Sequence, residues 1–225
     1  MKIIITGASS GIGFSAVQIA LEKGWKVLAI ARSAGPLQEL EAMGAATLQA
    51  DISDSASFRM LEAKLEELKW SRVDALVNNA GFLVNKPFAE IGEAEFDQSI
   101  AVNFKAPYFL TQLLLPRLKN GQVLNISTMG GINGTAKFPG LSAYSSSKGG
   151  LGILTELLAE ELSGEQIRVN ALALGAVQTP MLEAAFPGYE APTTPEQMGE
   201  FIIQFLNHTG AFFNGKVLPV SSTTP

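Results

Sequence analysis

The run Lys2-Ile3-Ile4-Ile5-Thr6 ends directly in Gly7-Ala8-Ser9-Ser10-Gly11-Ile12-Gly13, after which the chain takes up a helical pattern. An apolar β-branched run of this kind reads as a strand buried on both faces. The glycines permit a sharp turn into a helix whose N-terminal N–H groups and positive dipole end suit a pyrophosphate. The spacing is G-x-x-x-G-x-G rather than the commoner G-x-G-x-x-G, and Gly7, Ser9, Ser10, Gly11, Ile12 and Gly13 are the candidate cofactor contacts.

The same alternation runs along the whole chain. Strands are expected at residues 2–6, 26–31, 46–50, 75–78, 122–127, 168–173 and 216–220, and helices at 11–23, 37–43, 55–68, 96–119, 143–163 and 195–206. Thr194-Pro195-Glu196-Gln197 supports the last helix start, with threonine as N-cap, proline in the first turn and glutamine closing a capping box. Strands alternating with helices predict an α/β fold: a doubly wound, Rossmann-type parallel sheet of seven strands with helices on both faces, forming a single domain over residues 1–225. Pro187, Gly188 and Pro192 mark residues 181–194 as a short substrate lid beyond a strand's C-terminal end, where open parallel sheets bind ligands.

Composition removes several function classes. The net charge is −5 and no lysine/arginine run forms a phosphate-tracking stripe, so nucleic acid is not an expected partner. With no cysteine and one histidine, His208, the chain lacks the usual material for a metal site, and none is expected. No apolar stretch approaches the ~20 residues that span a bilayer. A cytoplasmic protein without a membrane partner is expected.

Two further places carry chemistry. Arg32 and Ser33 follow the second strand, where a carboxylate would ordinarily meet the ribose hydroxyls of NAD. Without that carboxylate, and with Arg32 able to clamp a 2′-phosphate, NADP(H) is favoured, with NAD(H) as the alternative. Asp51 and Ile52 are placed for an adenine, and Asn79, Ala80 and Gly81 for a ribose. Tyr144 and Lys148 stand four residues apart in an expected helix and so share one face, with the cation positioned to tune the phenol.

Together Thr6-Gly7-Ala8-Ser9-Ser10-Gly11-Ile12-Gly13, Asn78-Asn79-Ala80-Gly81, Val102-Asn103, Ser127-Thr128, Tyr144-Ser145-Ser146-Ser147-Lys148 and Arg168-Val169-Asn170 leading to Thr179-Pro180-Met181 resemble, in order, the short-chain dehydrogenase/reductase family. The resemblance implies a catalytic tetrad of Asn103, Thr128, Tyr144 and Lys148. Tyr144 would be the general acid for carbonyl reduction, and Lys148, the oxidised nicotinamide and the helix N-terminus would lower its pKa. Tyr144 and Lys148 would also bind cofactor, Lys148 through the ribose hydroxyls. Thr128 stands where the family usually has serine, with Ser127 as the substitute. Leu174-Gly175 replaces the usual Pro-Gly, and Gly175, Val177 and Thr179 would meet the nicotinamide end. Independently of the resemblance, Pro107 deprives the Asn103 carbonyl of its helical N–H partner and predicts a local break.

The resulting expectation is an NADP(H)-dependent oxidoreductase moving hydride between nicotinamide and a small-molecule carbonyl or secondary alcohol. Two alternatives stand beside it: a 3-oxoacyl-carrier-protein reductase-like enzyme and a non-catalytic NADP(H)-binding sensor. Acidic carrier proteins call for a basic docking edge, whereas Lys119 is accompanied by Glu165 and a negative net charge. The resemblance also implies a homodimer or homotetramer through the helices expected at 96–119 and 143–163.

Overall fold

The computed structural model describes residues 1–222; of the tail at 221–225, expected to be frayed, residues 223–225 lie outside the described residues. Seven parallel strands form one sheet: β1 (Lys2–Thr6), β2 (Lys26–Ala31), β3 (Ala46–Gln49), β4 (Ala75–Asn78), β5 (Gln122–Thr128), β6 (Arg168–Leu174) and β7 (Val217–Val220). Their spatial order is β3-β2-β1-β4-β5-β6-β7. The helices around it are α1 (Gly11–Glu22), α2 (Ala34–Ala42), α3 (Ala56–Glu67), α4 (Glu93–Ile100), α5 (Ala106–Leu114), α6 (Ser142–Glu161), α7 (Pro180–Ala185) and α8 (Pro195–Asn207). None of the described helices is long and apolar enough to cross a membrane.

Successive residues of β1 face opposite sides of the sheet, so its apolar run feeds two cores. Ile3 and Ile5 join Val17 of α1 with Ile202 and Phe205 of α8. Ile4 points the other way, into a cluster with Leu61 of α3 and Leu110 of α5. Burying both strand faces is what removes polar alternation from β1 and makes it legible. On the first face α1 and α8 meet closely: a Cβ added to Gly199 would sit 2.9 Å from the backbone nitrogen of Ala16. Pro219 is accommodated because β7 is an edge strand.

The structure departs from the single long helix expected at residues 96–119. Helix α4 passes into a π-turn at Ala101–Lys105, where the Ala106 N–H reaches back to the Ala101 carbonyl, and α5 follows. Pro107 offers no N–H to Asn103, and the helix widens there rather than ending. Pro116 similarly stops α5 at Leu114 and leaves a short 3-10 turn, Leu115–Arg117.

Strand order reverses between β1 and β4, and such a switch point opens a crevice at the C-terminal strand ends. The Thr6 hydroxyl staples the two strands there, accepting from the N–H groups of Asn79 and Ala80 at 3.1 Å each. Strand direction also corrects one expectation. Lys119 and Glu165, weighed above as parts of a docking edge, precede β5 and β6 and therefore lie at the opposite end of the sheet from this crevice.

Candidate active site

A cleft of about 770 Å³ runs along the C-terminal edge of the sheet, within the ~300–1,000 Å³ usual for ligand sites. Gly7, Ser9, Ser10, Gly11 and Ile12 form its floor at the switch point, Arg32, Asp51 and Ile52 one end, and Thr128, Tyr144 and Lys148 the other. Asn79, Ala80, Gly81, Gly175, Val177 and Thr179 border the space between. Three expected site residues do not line it. Ser33 is exposed beside the start of α2, Gly13 is buried under the turn, and Asn103 is buried behind the wall.

The glycine turn has the close approach a pyrophosphate requires. Gly7 adopts φ +68° and Gly11 φ +53°, conformations that favour glycine. A Cβ at Gly13 would come within 2.3 Å of the Gly7 carbonyl oxygen, so this glycine lets the helix start pack under the turn. The Asn79 amide locks the same turn, donating to the carbonyls of Thr6 at 2.9 Å and Gly7 at 3.2 Å. A nicotinamide dinucleotide fits these residues: an open helix N-terminus at the turn, apolar and small walls around it, and hydroxyl and amine groups at the far end.

At the β2–β3 end, Arg32 lies 3.9 Å from the Asp51 carboxylate, so the position after β2 is not remote from negative charge. Burial alone would raise the Asp51 pKa. Hydrogen bonds from the Ser53 hydroxyl and N–H, with Arg32 nearby, outweigh it and hold the carboxyl below its usual value. Neither ion-pair partner is deeply buried, and Arg32 remains largely exposed.

At the other end, Tyr144 and Lys148 occupy one face of the first turns of α6. The Lys148 ammonium donates to the Ile126 carbonyl at 2.7 Å, and burial pulls its pKa down to about 8. Burial pushes the Tyr144 phenol up to about 12. The depression expected from the neighbouring lysine is therefore not present in the protein by itself, because desolvation dominates. Ser127 donates to the Lys148 carbonyl at 3.2 Å, whereas Thr128 has no protein partner for its hydroxyl among the described residues and borders the cleft.

Asn103 works within the wall. Its side chain accepts from the Phe82 N–H at 2.9 Å and donates to the Phe82 carbonyl at 2.8 Å and the Ser147 hydroxyl at 3.0 Å. Ser147 in turn donates to the Tyr144 carbonyl at 2.8 Å. The π-turn, the loop after β4 and α6 are thus tied into one buried polar network.

A short chain dehydrogenase family model matches residues 1–190. The chain belongs to the short-chain dehydrogenase/reductase family. It is 31% identical over 237 residues to 3-oxoacyl-(acyl-carrier-protein) reductase FabG of Thermotoga maritima, covering 96% of this chain and 94% of that protein. It is 33% identical over 188 residues to carbonyl reductase (NADPH) 2 of Sus scrofa, covering 80% and 73%. Among solved structures, a 3-ketoacyl-(acyl-carrier-protein) reductase from Brucella melitensis complexed with NADH superposes with a TM-score of 0.88 at 28% identity, covering 98% of this chain and 96% of that one. The protein is accordingly a nicotinamide-dependent oxidoreductase acting on CH–OH or C=O groups.

Sequence reasoning did not identify Phe82, Leu83, Phe138, Leu141, Phe186 and Tyr189 as cleft residues. The last two fell inside the expected lid at 181–194, a segment shaped here by α7 and by a bridge pairing Val177 with Thr193. The others come from two loops whose paths no periodicity specifies.

Proposed function

We propose that this chain is an NADP(H)-dependent reductase of small-molecule ketones or aldehydes. The observation that carries the reading is the convergence of Tyr144, Lys148 and the unpartnered Thr128 hydroxyl at one end of a cleft whose floor is the glycine turn. Bound, the reduced nicotinamide supplies the hydride that the carbonyl carbon takes up. Thr128 orients the substrate oxygen by donating to it, and Tyr144 gives that oxygen its proton. Burial, which pushes the phenol up to about 12, keeps it protonated but makes it a weaker donor, so proton transfer calls for positive charge beside it. Lys148 holds the cofactor ribose and brings positive charge toward the developing tyrosinate. The positive end of α6 does the same from the helix start.

Arg32 beside the glycine turn supports the NADP(H) preference, and the Sus scrofa relative is named for NADPH. NADH in the Brucella relative and the nearby Asp51 keep NAD(H) as the second cofactor. Residues 181–194 act as a lid, since Phe186 and Tyr189 both reach the cleft. Asn103 positions the wall and α6 rather than touching substrate. The exposed Tyr108, Phe109, Ile153 and Leu157 on α5 and α6 support assembly into a homodimer or homotetramer. An NADPH-linked reductase fits a cytoplasmic setting.

A second reading, reduction of 3-oxoacyl thioesters, is favoured by the Thermotoga relative. The two are separated by following NADPH and NADH oxidation at 340 nm with ketones, aldehydes and 3-oxoacyl thioesters, using Tyr144→Phe as the control. Turnover that the substitution lowers by roughly 10²–10⁴-fold supports the reductase reading. Tight cofactor binding with no turnover on any of these compounds would favour the non-catalytic sensor instead.

A further inference from the structure

We infer that the carbonyl compound accepted here carries an uncharged apolar arm, alkyl or aryl, and neither a carboxylate nor a polyol chain; the inference rests on the reductase reading above. Beyond Thr128 and Tyr144 the cleft wall is made by Phe82, Phe138, Leu141, Met181, Phe186 and Tyr189. These side chains come from three separate segments, the loop after β4, the loop before α6, and α7 with the turn that follows it. Phe138, Met181 and Tyr189 are 48%, 39% and 48% exposed, and all three line the same cleft. Scattered exposed apolar residues need no explanation, but several gathered at the mouth of a cleft mark a binding surface.

The charges complete the case. Among the described residues only Arg32, Asp51 and Lys148 are ionisable acids or bases of the Asp, Glu, Lys or Arg type lining the cleft. Arg32 and Asp51 pair with each other at the ends of β2 and β3, three and four strand spacings from β5, or about 14 and 19 Å. Lys148 lies on the Ile126 carbonyl. Charged residues of the neighbouring loops have partners of their own, and Lys86 pairs with Glu95. Lys137, next to Phe138, donates to the Ile132 carbonyl and Thr135, and Glu183 of α7 accepts from the Gly188 N–H at 3.1 Å. Among the described residues, no cation besides Arg32 and Lys148 lines the cleft to hold a substrate carboxylate. A polyol would meet a wall of six side chains among which only Tyr189 carries a hydroxyl, losing about tenfold or more in affinity for each hydroxyl left unpaired.

The test uses the purified full chain with NADPH and methyl ketones from acetone to 2-octanone, acetophenone, a pentulose, and the pair ethyl benzoylformate and benzoylformate. It adds Phe186→Ser and ligand-observed NMR binding of 2-octanol and xylitol in the presence of cofactor. We expect kcat/KM to rise about threefold for each early methylene. Phe186→Ser should lower it about tenfold or more for 2-octanone and by a smaller factor for acetone, so that the ratio of the two falls. 2-Octanol should bind and xylitol should not. A flat ketone series, preference for the pentulose or for benzoylformate over its ester, or binding of xylitol alone or of neither alcohol would overturn the inference. If no compound is turned over but 2-octanol binds in a Phe186-dependent manner, the apolar arm stands and the reductase reading fails.

Discussion

Ser127 donates its hydroxyl to the backbone carbonyl of Lys148 at 3.2 Å, joining the end of β5 to α6. That bond occupies the buried Ser127 hydroxyl, whereas the partly exposed Thr128 borders the cleft. A threonine hydroxyl can make the same bonds as a serine, with its rotamer narrowed by the extra methyl.

Removing each hydroxyl in turn separates the two roles. Thr128→Val should lower kcat/KM by roughly 10²-fold with little change in stability, by loss of a bond to the reacting oxygen. Ser127→Ala should cost about 1 kcal/mol and about 2–4 °C in Tm while retaining most activity. Steady-state kinetics and thermal unfolding of both variants check this, and the reverse pattern would assign the substrate contact to Ser127.

Asn103 satisfies both backbone groups of Phe82 from a fully buried position. Asn103→Ala leaves that N–H and carbonyl without partners, and the expected cost is roughly 2–5 kcal/mol. Calorimetry should show Tm lower by about 5–15 °C. Cofactor affinity measured well below the new Tm should change much less, because the side chain does not line the cleft.

The Arg32–Asp51 pair predicts opposing effects on cofactor choice. Arg32→Ala should weaken NADPH about tenfold or more relative to NADH by removing a charge-assisted partner of the 2′-phosphate. Asp51→Asn should shift the ratio toward NADPH, since it frees the guanidinium and removes nearby negative charge. Fluorescence titrations with both cofactors measure the ratio, and an unchanged ratio in Arg32→Ala would remove the basis for NADP(H) preference.

Lys148 sets a pH dependence. Its folded pKa, about 8, lies below the ordinary lysine value of 10.5, so it loses its charge as pH rises through about 8. Cofactor affinity of the free protein should fall across that range, and the alkaline limb should vanish in Lys148→Met. The linkage to stability has the opposite sign: the cost of burying the cation is complete below about 8 and is relieved up to 10.5. Tyr144, raised to about 12 from 10.0, makes stability fall between those values. Binding titrations and denaturant unfolding at pH 7 to 10 test the lysine behaviour directly.

Much of the molecule was legible before its folding was known because its signals are local. Parallel strands buried on both faces have no reason to alternate, so Ile3-Ile4-Ile5 stands out, and Thr194 to Gln197 announce a helix start by their own hydrogen bonds. Gly7 and Gly11 need left-handed backbone wherever such a turn occurs. Pro107 likewise forecasts a break, but whether the helix would kink, stop or widen depended on the surrounding packing.

The chain's sequence by itself determined the seven parallel strands, the dinucleotide turn and the pairing of Tyr144 with Lys148, since periodicity and glycine stereochemistry act over a few residues. Tertiary structure decided what depends on neighbours distant in the chain: the upward shift of the Tyr144 phenol by burial, the bond that occupies Ser127 while Thr128 borders the cleft, the Asp51 carboxylate beside Arg32, and the apolar wall gathered from three loops. Desolvation and ion pairing are set by what else occupies the surrounding few ångströms, and only the folded chain brings those groups together.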